Sequence, residues 1–115
     1  MGRKNILRVN NALVWGGAEK VLEMACVGGA QAMGLADCDD IAPGKFADMI
    51  VIDLKRPNMR PLNNIPKNIV YAGSKENVRL TMVAGRVLYE NGEFFIGEEP
   101  GAIYERVEKH MQELR

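Results

Sequence analysis

The chain has 115 residues, 47% of them hydrophobic and 26% charged, the composition of one folded domain or a piece of a larger one and not of a disordered segment. Fifteen Lys and Arg balance fifteen Asp and Glu, so the net charge is +0 and no long-range field gathers nucleic acid or anionic lipid. No stretch approaches the roughly 20 apolar residues of a membrane span, and residues 1–10 lack the apolar centre of a signal peptide. A cytoplasmic chain with no nucleic-acid and no membrane partner is expected. Gly2 does not mark myristoylation, because Ile6 stands where that pattern needs Ser or Thr. Cys26 and Cys38, with eleven residues between them, are expected to be free thiols in such a compartment.

In chain order, Ala18, Val21, Leu22, Ala25, Ala32 and Met33 recur at helical spacing between Glu19, Lys20, Glu23 and Gln31, which predicts an amphipathic helix from Gly17 to Leu35. Gly28 and Gly29 inside it cost roughly 2 kcal/mol against Ala, which points to a close approach by another element, and Gly34 is the stop. A polar turn at Asp37-Cys38-Asp39-Asp40 and a Pro43-Gly44 turn lead into Met49-Ile50-Val51-Ile52. That run is apolar without alternation, so a central strand covered on both faces is expected. From Asp53 to Pro66, Pro57, Pro61 and Pro66 predict a long irregular connection. Ile69-Val70-Tyr71 then reads as a short strand and Gly73 to Asn77 as a loop.

Three strands follow as a meander, Val78 to Val83, Arg86 to Glu90 and Glu93 to Ile96, with Asn91-Gly92 favouring a type I′ hairpin. Glu98, Glu99 and Pro100 mark the start of a last helix, with Ile103, Val107, Met111 and Leu114 as its docked stripe and Glu105–Lys109 as an exposed pair. The expected fold class is α+β. It comprises an N-terminal amphipathic helix, a small antiparallel β-meander sheet and a C-terminal helix, divided as 1–36, 37–98 and 99–115.

Chemistry is sparse. A catalytic metal centre needs about three converging His, Cys or carboxylate ligands. The chain has one histidine, His110, beside the stripe of the last helix, where it reads as a residue packing its ring. No Gly-x-Ser-x-Gly or Cys-His motif accompanies it. Asp37, Asp39 and Asp40 lack the Gly and distal Glu of a calcium loop and read as a solvated turn. Gly16-Gly17 carries no phosphate-loop pattern. Trp15, Tyr71, Tyr89 and Phe94-Phe95 read as core, not as base-stacking platforms, and the seven Met as gap fillers. No catalytic, cofactor-binding or metal-ligating residue is assigned.

Three runs carry a resemblance. Val21 to Leu35 (Val-Leu-Glu-Met-Ala-Cys-Val-Gly-Gly-Ala-Gln-Ala-Met-Gly-Leu) resembles the late helix of amidohydrolase-superfamily enzymes. Ile41 to Asp53, with Gly44-Lys45 and Ala47-Asp48, is similar to the segment where such a chain leaves the barrel for a small β-domain, and Val78 to Gly92 to the closing meander. The order is the family's, and Pro57 to Leu62 with Ile69 to Ala72 is closest to the cytosine deaminase, chlorohydrolase and adenosine-type deaminase branch. Cys26, Val27 and Gly28 depart from the family's usual Thr and Asn.

The resemblance implies a metal-dependent hydrolase of C–N bonds, with a divalent metal, zinc first, held by His and Asp residues on a barrel that this chain lacks. Asp37, Asp48 and Asp53 fall on non-ligand positions. The expectation is therefore a structural C-terminal fragment, inactive alone, whose small-molecule substrate belongs to the full-length parent. The alternative is a stand-alone, non-catalytic subunit docking on a separate barrel protein. Lacking its barrel, the chain is expected to expose the first helix and a sheet edge and to self-associate.

Overall fold

A computed structural model describes residues 17–115; Gly2, Ile6 and the rest of residues 1–10, where no signal-peptide pattern is expected, lie outside the described residues, as do Trp15 and Gly16. The first helix runs as α1 (Gly17–Glu23), one π-helical turn (Met24–Gly28) and α2 (Gly29–Ala32). Backbone angles stay helical through the junctions, near −60° and −45° at Glu23, Gly28 and Gly29. The ladder widens next to the paired glycines, which have the weakest helical preference after Pro. Gly34, at φ +73°, ends the helix as expected. Among the described residues no other element approaches Gly28 and Gly29: a Cβ there would meet the helix's own carbonyls, Glu23 O at 3.5 Å and Met24 O at 3.4 Å.

The sheet holds β1 (Met49–Ile52), β2 (Val78–Val83), β3 (Arg86–Glu90) and β4 (Glu93–Phe94), antiparallel in the order β1-β2-β3-β4. β2 and β3 lie where the sequence placed them, while β4 stops at Phe94, two residues short of the expected Ile96. Both turns of the meander have positive φ at the two central residues, Ala84 and Gly85 in the first and Asn91 and Gly92 in the second, the hand that matches strand twist. Ile50, Thr81, Tyr89 and Phe94 are successive cross-strand partners. The Tyr89 and Phe94 rings close that row edge to face, with centroids 5.0 Å apart.

β1 is not central. Among the described residues it pairs only with β2 and forms an edge, with Ile50 53% exposed. Its unbroken apolar run signals a need for two-sided cover that these residues do not supply.

The predicted strand at Ile69-Val70-Tyr71 is instead part of a helix, α3 (Ile65–Ala72). Local capping overrides the β-branched run. The Asn64 side chain accepts from Lys67 N at 3.0 Å, Pro66 sits in the first turn where no donor is needed, and Asn68 Nδ2 donates to Met59 O (3.0 Å) and Pro61 O (3.1 Å). The connection before it contains one 3-10 turn, Pro57–Met59, which buries Met59 completely. Met59 and Ala18 are the fully buried apolar side chains of the described residues, and Ala18 lies where α1 packs on α3. Met59→Ala is therefore expected to lower stability by about 2–5 kcal/mol, read as a shift of the urea midpoint at fixed protein concentration.

The last helix, α4 (Pro100–Glu113), begins at Pro100 as expected, but its stripe is not covered by the described residues. Val107, Met111 and Leu114 are 55%, 52% and 83% exposed, and of the anticipated stripe only Ile103 is half-buried. The helix is held at its start by a two-pronged ion pair from Arg106 to Glu98, at 2.6 and 2.8 Å. The anticipated Glu105–Lys109 pair is not among the ion pairs of the described residues.

Candidate functional site

The densest polar arrangement follows the first helix. A 3-10 turn, Ala36–Cys38, turns the chain back, and Pro43-Gly44 (φ +84° at Gly44) brings Lys45 against it. Lys45 Nζ donates to Ala36 O at 2.9 Å and to the Asp39 carboxylate, while Phe46 N donates to Asp37 O at 2.8 Å. Asp48 then ties this turn to the sheet: its carboxylate accepts from Ala84 N at 2.7 Å and from the Cys38 thiol. Gly85 N donates to the neighbouring carbonyl of Ala47 at 3.1 Å. These two contacts hold Ala84 at φ 50°, a left-handed conformation that costs an L-residue roughly 1–2 kcal/mol.

The electrostatics follow the geometry. Lys45 holds the Asp39 carboxyl below the usual carboxylate range, and the Ala84 amide, then the Cys38 thiol, do the same for Asp48. The Asp48 hydrogen bond in turn raises the Cys38 thiol above its ordinary value. Carboxyls with lowered folded values contribute stability that is complete above the ordinary carboxylate range and fades as pH falls through those values. Asp48→Asn is therefore expected to flatten the acid limb of a stability-versus-pH curve measured by urea denaturation and, because it removes the partner that raises the Cys38 thiol, to soften the loss of stability on the alkaline limb as well.

A second hub stands at Asn77, which is 2% exposed. It closes the 3-10 turn Lys75–Asn77 through a capping box with Ser74, and its side chain reaches Asp53 O (3.1 Å) and Asn58 (2.6 and 3.1 Å). This segment was expected to be a loop. The Ser74-x-x-Asn77 spacing was the signal for its cap.

The residues weighed for chemistry remain apart. His110 is not packing its ring: its side chain is 74% exposed, with Glu113 Oε2 3.4 Å from Nδ1. Cys26 is exposed and Cys38 half-buried, both free. The Asp37-Cys38-Asp39-Asp40 turn is less solvated than expected, since Asp39 is committed to Lys45 and Cys38 to Asp48. Tyr71 is exposed, as are Phe94 and Phe95, and of these aromatics only Tyr89 is half-buried in the sheet. Met24, Met33 and Met111 are exposed rather than filling gaps. Among the described residues no group of three or more His, Cys, Asp or Glu comes together. They do not fit a catalytic zinc centre, which needs three protein ligands around one ion. No helix among them is long and apolar enough to cross a membrane.

The model of the amidohydrolase family matches residues 11–88, which span the first helix, the Lys45–Asp48 clasp, α3 and most of the meander. The chain belongs to the amidohydrolase family. It is 48% identical over 77 residues to a 5-methylthioadenosine/S-adenosylhomocysteine deaminase of Nitratidesulfovibrio vulgaris, a match covering 67% of this chain and 18% of the relative. It is 41% identical over 88 residues to a 5′-deoxyadenosine deaminase of Methanosarcina acetivorans, covering 76% of this chain and 20% of that one. This amidohydrolase chain thus spans about a fifth of the length of the curated relatives it matches.

A solved adenosine deaminase from Xanthomonas campestris with bound zinc superposes with a TM-score of 0.79 at 27% identity, over 85% of this chain and 22% of that one. A zinc-bound atrazine chlorohydrolase from Arthrobacter aurescens TC1 shares the fold, with a TM-score of 0.67 at 24% identity over 84% of this chain and 20% of its own. The sequence resemblance to the superfamily is thereby confirmed.

Proposed function

We propose that this chain serves as the closing segment of a metal-dependent aminohydrolase that removes the 6-amino group of a 5′-modified adenosine as ammonia, replacing a C–N bond by C–O. The observation that carries this reading is the 48% identity over 77 residues to a 5-methylthioadenosine/S-adenosylhomocysteine deaminase. In this reading the divalent metal, zinc first, and the groups that move protons are held by a barrel outside these residues. The segment's own contribution is structural. The clasp fixes the angle between the first helix and the sheet, so that the helix face of Val21, Met24 and Met33 and the open edge of β1 are presented together for cover by the barrel and its companion strands. Alone, the chain is inactive and covers these faces with further copies of itself.

The exposed apolar faces also favour the second reading, a subunit that docks on a separately made barrel. One experiment tests both. The final fifth of the N. vulgaris relative is replaced by residues 17–115, either fused in frame or supplied as a separate chain, and ammonia release from 5′-methylthioadenosine is followed with zinc present. Activity in the fused form, with none from the barrel alone or from this chain alone, is the expected result. Activity on mixing the separate chains identifies a docking subunit. Zinc-dependent turnover by the 115-residue chain alone would overturn the proposal, as would a fused form that folds, binds zinc and stays inactive.

A further inference from the structure

We draw no further inference here: the strongest candidate, the exposed apolar stripe of Tyr104, Val107, Met111 and Leu114 along α4, carries nothing because nothing in the structure shows what covers it.

Discussion

Sedimentation equilibrium of the purified chain is expected to give a mass above that of the 12.7 kDa monomer, rising with concentration. Full burial of apolar side chains among the described residues stops at Ala18 and Met59, too little to close a core. Val21 and Met24 lie open along the first helix, Met33 and Leu35 just past its end, and Ile50 and Phe94 at the two ends of a row that crosses the sheet. The outer edge of β1 has unpaired backbone groups among the described residues, and none of the usual edge guards, a Lys, a Pro or an inward charge, falls within Met49–Ile52. Covering one such side chain contributes about 1.5–3 kcal/mol. Replacing Met24 and Met33 by Glu is thus expected to weaken association by at least about a hundredfold, since each 1.4 kcal/mol is a factor of ten. Adding a barrel that accepts the segment competes for the same faces and shifts the distribution to a defined complex. A monomer at every concentration, unfolding cooperatively, would refute this reading of the exposed faces.

What could be read from the sequence, and what could not, divides by the range of the interaction. The meander was legible because Asn91-Gly92 dictates its own turn, and the start of α4 because Glu99-Pro100 suits a first helical turn. Errors arose where a residue's partner is distant or outside the described residues. The stripe of α4 and the apolar run of β1 each state that cover is needed; neither states that these residues provide it. At α3 the β-branched and aromatic triplet Ile69-Val70-Tyr71 points to a strand, while the cap in the same window, Asn64 before Pro66 and Lys67, makes it helical. Of the candidate site, the Gly44-Lys45 and Ala47-Asp48 pairs were visible as family wording. Their work was hidden, because Asp48 acts on Ala84, 36 positions along the chain, in a turn whose left-handed alanine no local rule anticipates. Asn77 escaped notice for the same reason: its amide serves Asp53 and Asn58, 24 and 19 positions away.

Asn77→Leu is expected to be the most damaging polar-to-apolar change in the described residues, lowering stability by about 3 kcal/mol. The side chain is buried and uses its acceptor and its donor at once: Oδ1 accepts from Ser74 N (3.0 Å) and Asn58 Nδ2 (2.6 Å), while Nδ2 donates to Asp53 O (3.1 Å) and Asn58 Oδ1 (3.1 Å). Its backbone adds a further tie, Asp53 N to Asn77 O at 2.7 Å, so the end of β1, the Pro57–Met59 turn and the end of α3 meet on one residue. Leucine fills the volume but leaves the half-buried Asp53 carbonyl and the Ser74 amide without their side-chain partner; a group left unpaired costs about 1–3 kcal/mol, less for Ser74, whose residue is exposed to water. Asn58→Ala leaves each polar atom of the Asn77 amide one partner, Ser74 N on Oδ1 and Asp53 O on Nδ2, so it should cost about 1 kcal/mol or less. Asn77→Asp separates the two functions of the amide: it keeps the acceptor for Ser74 but sets a carboxylate oxygen against the Asp53 carbonyl, and should fall between the other two variants at neutral pH. Urea midpoints of the three variants, taken at one protein concentration because association contributes to apparent stability, give the ranking directly. Equal losses for Asn77→Leu and Asn58→Ala would show that burial of Asn77 adds nothing and that the hub does not hold the three segments together.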